Sequence, residues 1–175
     1  RDVDVWVRAQ RSLIAIGAAS VEPLITALGD NDTDVRRRAA AALAALGEPA
    51  VEPLIAALGN NDEKVRTVSV QALAAIGASA VEPLIAALGN RDKKVRTGSA
   101  EVLINAVGGF DPQVRGRAAE VLQQLGDVRA VEPLINALWD TDSYVRYVAA
   151  ESLERIGTSE ALAAVKAWRK EQAKQ

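Results

Sequence analysis

Charged residues recur along this chain at fixed offsets, and they are the first candidates for chemistry. Asp-x-x-Val-Arg stands at Asp32–Arg36, Asp62–Arg66, Asp92–Arg96, Asp111–Arg115 and Asp142–Arg146, with a variant at Asp2–Trp6. Glu22, Glu52, Glu82 and Glu132 each stand second in a Val-Glu-Pro-Leu-Ile segment. A row of guanidinium groups is a natural phosphate binder. Asp and Arg recur together, however, which is the mark of a structural need met once per repeat. Each Arg is expected to lie beside an apolar stripe and to bridge to Asp caps of its own or adjacent repeats. Identical carboxylates at identical repeat positions likewise read as architecture, not catalysis.

The residues that are missing narrow the chemistry further. The 175-residue chain has no His, Cys or Met. It has no means for His-based acid–base catalysis, a thiolate nucleophile, a disulfide or a Cys/His metal site. With 21 basic and 23 acidic side chains the net charge is −2, so bulk attraction to nucleic acid or an anionic membrane is not expected. No apolar run approaches the roughly 18–20 residues that span a bilayer. No signal-peptide pattern is present, and a cytoplasmic setting is the default expectation.

The elements that hold these charges read as helices. Hydrophobic residues make up 49% of the chain and aromatics only 3%, a balance suited to close-packed helices. Val-Glu-Pro-Leu-Ile begins at Val21, Val51, Val81 and Val131, and Val51 to Asn60 recur unchanged from Val81 to Asn90. The usual interval is 30 residues. In the first helix of a unit, Val35, Ala39, Ala42, Leu43 and Leu46 form one stripe at the 3.6-residue period. The Asp three residues before the Val is an N-cap, and Gly47 is a helix stop. In the second helix Val21, Leu24, Ile25 and Leu28 form a shorter stripe, with Pro23 in its first turn. Neither helix is long enough to stand alone in water, so stacked neighbours must bury both stripes.

A Val-Arg helix followed by Ile-Gly and then Ala-Val-Glu-Pro-Leu-Ile resembles the HEAT-like repeats of the phycobilisome-lyase type. It is also similar to artificial alpha-helicoidal repeat proteins patterned on such repeats. The resemblance covers nearly the whole chain. It implies an all-α fold, a right-handed alpha solenoid of about five to six HEAT-like helix pairs. Residues 1–175 are expected to form a single domain of this kind. One pair lacks its second helix: the interval from Val95 to Val114 is 19 residues, bridged by Gly108-Gly109-Phe110-Asp111-Pro112. That irregular unit lies near 92–115. A capping helix is expected at about 159–173, where Lys166, Trp168 and Arg169 replace the Ile, Ala and Leu of earlier copies. Val3, Val5, Trp6 and Val7 carry no such polar adaptation, and further sequence upstream is expected.

Copies within one chain must solve the same packing problem, so positions that vary between them are informative. Variation concentrates on the Val-Arg helices, on an arc roughly opposite the apolar stripe. In the artificial family that arc lines the concave groove and carries binding residues. The matching positions here are Arg8, Arg11, Arg37, Arg38, Thr67, Val68, Gln71, Glu101, Glu120, Tyr144, Tyr147, Val148 and Glu151. The N-terminal half is rich in Arg with few balancing acids. The C-terminal half places Tyr144 and Tyr147 at i and i+3, with Trp139 expected nearby in a turn position that is Gly29, Gly59 and Gly89 in other copies. Two roles are open to these rings: interface anchors, or a shield over the C-terminal end of the core.

The leading expectation is a non-catalytic protein-binding scaffold or adaptor that grips a protein or peptide, with an acidic segment favoured by the basic half. No cofactor and no metal is expected. Resemblance alone raises a bilin lyase subunit or phycobilisome-associated factor, and the near-identical copies raise an engineered repeat-protein binder. HEAT-like alkylpurine DNA glycosylases use a strongly basic concave face, which this composition does not match. HEAT-like metal hydroxylases need repeated His-Glu pairs, which a chain without His does not supply.

Overall fold

A computed structural model describes residues 17–174. Arg8, Arg11 and the Val3–Val7 segment lie outside the described residues. Within them the chain is all helix and turn, with no strand. It divides into two compact units, Arg1–Val102 and Leu103–Gln175.

In the first unit a 3-10 turn, Gly17–Ser20, leads into α1 (Val21–Ala27) and then α2 (Thr33–Leu46). A second 3-10 turn, Glu48–Ala50, precedes α3 (Val51–Ala57), followed by α4 (Glu63–Ile76), α5 (Ala78–Ala87) and α6 (Lys93–Ala106). Long helices stack on long ones (α2 on α4) and short on short (α1 on α3, α3 on α5), with each short helix also against a long one. Leu43, Leu54, Leu58 and Leu73 are fully buried by this stacking. The side chains that make the 3.6-residue stripe are therefore the core. Val65 and Val95 are buried in the same way, but Val35 stays 37% exposed. The two buried valines lie against an earlier turn: a Cβ on Gly59 would sit 3.2 Å from Val95 Cγ2, and one on Gly29 3.6 Å from Val65 Cγ2. Pro83 also departs from expectation. Because α5 starts at Ala78, the proline falls inside the helix, whereas a 3-10 turn precedes Val21, Val51 and Val131.

The second unit contains the end of α6, then α7 (Pro112–Leu125), a 3-10 turn at Val128–Ala130, α8 (Val131–Ala137), α9 (Ser143–Ile156) and α10 (Ser159–Gln172). No helix intervenes between Ala106 and Pro112, so α6 lacks the second helix that α2, α4, α7 and α9 each possess. Here α7 packs along α9, α8 against α9, and α10 against α8 and α9. Leu122, Leu134, Leu138 and Leu153 form the core. Ser152, also buried, donates to Val148 O at 2.7 Å and to Ala119 O at 3.0 Å, which joins α9 to α7.

The turns explain the repeated charges. Asn60 Oδ1 accepts from Asp62 N–H at 2.8 Å, and Asp62 Oδ1 accepts from Lys64 N–H at 2.9 Å. This is an N-cap built in two steps, repeated at Asp30/Asp32, Asn90/Asp92 and Asp140/Asp142. Arg66 Nη1 donates to Asn60 O and Asn61 O at 2.9 and 3.0 Å. Arg36, Arg96, Arg115 and Arg146 hold the equivalent carbonyl pairs. The expected bridge to Asp carboxylates is thus corrected. The guanidinium satisfies carbonyls left over by the helix end and turn, and of these five Arg115 alone also reaches an Asp of the next repeat. Gly47 and Gly77 end their helices at φ of 72° and 73°, a conformation open to glycine at no steric cost.

Candidate functional site

The varied positions of the Val-Arg helices fall into three places. In the first unit, Arg37 and Arg38 are exposed on α2, and Thr67, Val68 and Gln71 follow on α4. Thr67 and Val68 share a shallow hollow of about 490 Å³ with Arg36 and Lys64. Thr67 also shares one of about 380 Å³ with Glu101, Lys93 and Lys94. The expectation of few balancing acids fails at Arg37, whose Nη2 lies 2.8 Å from Asp34 Oδ1. Both of those side chains are largely in water, so the pair adds little stability.

In the second unit, α7 and α9 bring Glu120, Tyr144, Tyr147 and Glu151 to one surface. Tyr144 enters the first turn of α9, where its N–H donates to Asp142 Oδ1 at 2.8 Å. Its hydroxyl donates to Glu120 Oε1 across the helix pair. A Cβ on Gly116 would sit only 2.8 Å from Tyr144 Cε1, so glycine at this position of α7 is what lets the ring lie over the helix. Gly116 was not among the sequence candidates. Its signal was the loss of a side chain at a register where other copies hold Arg37, Thr67, Thr97 and Tyr147. Tyr147 donates to Glu151 Oε1 at 2.5 Å along the same helix. Tyr144 and Tyr147 nevertheless remain about half exposed.

Electrostatics favour an ionised Glu120 beside two neutral phenols. The Tyr144 hydroxyl and then Arg117 hold the Glu120 carboxyl below its usual range. The Glu120 and Glu151 carboxylates push the Tyr144 and Tyr147 phenols up, chiefly through those hydrogen bonds. An acid that stays ionised and phenols that stay neutral make poor general acids and nucleophiles near neutrality. They are well suited to hold two rings in place. Among the described residues no group of three acidic side chains converges as metal ligands would.

Val148 corrects the sequence reading, because it is buried and does not face solvent. The equivalent position in α6 shows why: a Cβ on Gly98 would sit 3.1 Å from Leu58, the C-cap residue of α3. A short apolar side chain at this register tucks inward, whereas Arg38 and Arg117 extend to water. Trp139 differs as well. It lines a separate cleft of about 670 Å³ with Phe110, Arg115 and Asp140, not the hollow of about 390 Å³ that holds Tyr144, Glu120 and Arg117.

The repeats, caps and stacked helix pairs on which these sites stand match the family model for HEAT repeats over residues 2–74, 21–104 and 100–175. The chain belongs to the HEAT-repeat family. No curated protein matches it. Among solved structures, this HEAT-repeat chain is similar to the complex of CpcE and CpcF of phycocyanin lyase from Nostoc sp. PCC7120. Identity is 22%, over 86% of this chain and 98% of that one, with a TM-score of 0.41. It is also similar to the archaeal HEAT-like repeats protein from Thermococcus onnurineus NA1, at 14% identity over 91% and 90% of the two chains, TM-score 0.35. A designed armadillo repeat protein in complex with the peptide (KR)4 aligns at 19% identity over 92% and 79%, TM-score 0.34. Among the described residues no helix is long and apolar enough to cross a membrane.

Proposed function

We propose that this HEAT-repeat chain is a non-catalytic scaffold or adaptor that binds another protein through the exposed face of its Val-Arg helices. One observation carries the reading: Tyr144 and Tyr147 stay open to solvent while Glu120 and Glu151 hold their hydroxyls. Rings fixed before a partner arrives lose little side-chain freedom on binding, which is what an interface anchor needs. The acidic-segment preference rests on Arg37 and Arg38 in the first unit, where Arg37 is already shared with Asp34.

The test is selection of peptides from a displayed random library on the wild-type chain, followed by affinity measurement on a Tyr144→Ala/Tyr147→Ala variant. Loss of anchors of this kind costs about 2 kcal/mol or more, roughly thirtyfold in Kd. Selected peptides that bind the variant as tightly as wild type place the binding face elsewhere. A selection that returns no binder at all counts against the scaffold reading itself.

A further inference from the structure

The cleft that holds Trp139 has a separate origin. It lies where the second helix of the α6 unit is absent, between the end of α6, the turn that follows it, and α8. Comparison of the copies shows two departures there. Phe110 stands where the equivalent turns have Asn31, Asn61, Arg91 and Thr141, all polar. Trp139 stands where Gly29, Gly59 and Gly89 follow the same Leu. The turns before two successive Val-Arg helices have thus each gained an aromatic ring, at different positions, and both rings line this one cleft. Neither serves the core: Phe110 is fully exposed, at 106%, and Trp139 is 58% exposed. Exposed rings of this size carry a large unfavourable apolar area that a partner's surface would remove from water.

The floor of the cleft ties the two turns together. Arg115 donates through Nη1 to Gly109 O and Phe110 O at 3.1 and 2.7 Å, which holds the Phe110 turn. Its Nε and Nη2 donate to both oxygens of Asp140, the residue after Trp139, at 2.7 Å each. One nearly buried guanidinium therefore clamps both ring-bearing turns.

The shape indicates what fills the space. In the first unit Pro83 of α5 shares a hollow with Val51 and Glu52 of α3, so the proline side of a short helix is the side on which the preceding short helix stacks. In α8 the matching Pro133 lines the cleft, while α8 stacks on α10 as well. Within this unit the proline side of α8 therefore faces the cleft, and no short helix of this unit is seated there. We propose that this seat takes an amphipathic helix from a partner protein. Its apolar residues, at i, i+3, i+4 and i+7, would occupy the place of the absent second helix, with Phe110 and Trp139 closing on its flanks. This proposal stands apart from the tyrosine face and does not depend on it.

The probe is a labelled, end-blocked synthetic peptide of residues 48–60, the chain's own second-helix sequence, titrated into the full chain by fluorescence anisotropy. Saturable binding is expected, weakened about tenfold or more by Trp139→Gly and by Phe110→Asn. Both substitutions install the residue that other copies carry, so the turns keep their chemistry, and circular dichroism checks that the helices persist. A peptide carrying Leu54→Asp should not bind, and the Tyr144→Ala/Tyr147→Ala chain should bind like wild type. Absence of saturation up to about 1 mM peptide overturns the proposal. So does an affinity indifferent to both cleft substitutions.

Discussion

Asp140→Asn isolates one charge in this fold with unusual cleanliness. Asn60 and Asn90 occupy the same turn position, so an amide oxygen can still accept the N–H of residue 142 as Asp140 does now. What the substitution removes is the negative charge and the Oδ2 acceptor of Arg115 Nε, which breaks the bidentate pair whose two contacts are both 2.7 Å. The two side chains are only 11% and 10% exposed, so the lost bond is poorly replaced by water. A hydrogen bond to a charged group contributes about 1.5–3 kcal/mol. Full removal of one partner from a buried pair costs about 3–5 kcal/mol. Arg115 keeps its two carbonyl acceptors, which places the expected loss in the lower of these ranges. Asp30→Asn is the control: Asp30 Oδ1 caps the same turn but has no guanidinium on its carboxylate among the described residues, so its effect should stay within about 0.5 kcal/mol. Urea unfolding followed by far-UV circular dichroism reads both variants against wild type. The pH dependence gives a second handle. The Arg115 bond is the main cause that holds the Asp140 carboxyl below its usual range. A carboxyl depressed in the folded state stabilises above its unfolded pKa of about 3.9 and loses that contribution as pH falls through the folded value. The gap between wild type and Asp140→Asn should therefore be full at pH 7 and close in acid. Equal midpoints for the two Asn variants at pH 7, or a gap that persists unchanged to low pH, would refute the reasoning.

Other substitutions test the remaining contacts. Gly→Ala inside a helix ordinarily stabilises by about 0.5–1 kcal/mol. Gly116→Ala should fail to do so in wild type, because its Cβ meets Tyr144, and should regain the benefit in a Tyr144→Ala background, as a thermal double-mutant cycle would show. Arg66→Gln removes the donor to Asn60 O and Asn61 O and should cost about 1 kcal/mol in a denaturant melt, with no change in retention on a phosphate column. Leu73→Ala, at a fully buried position, should cost about 2–5 kcal/mol by the same melt.

Much of the local structure was legible because it is written in periods and single residues. The stripe of Ala39, Ala42 and Leu43 predicted the buried side of α2, Asp32 its cap and Gly47 its stop. The short interval after Val95 announced the absent helix that the turn from Val107 to Asp111 bears out. Acceptors were not legible. The repeated Arg bonds to backbone carbonyls, which leave no trace in side-chain identity, so charge pairing with Asp was the natural but incorrect inference. Val148 was misplaced because helical periodicity gives the angle around one helix and not which neighbour covers it.

The chain by itself determined that it would form short paired helices, where the long ones are capped and stopped, and where one is missing. Those properties depend on backbone preference, capping groups and a 3.6-residue apolar period, all of which act within a dozen residues. Only the tertiary structure decided which side chains meet. Arg115 and Asp140 are 25 residues apart, Glu120 and Tyr144 are 24 apart, and Phe110 shares a cleft with Trp139. These meetings arise from the stacking of one repeat on the next, whose offset and rotation are set by how whole helix faces interlock, a sum over many weak contacts that no single residue reveals.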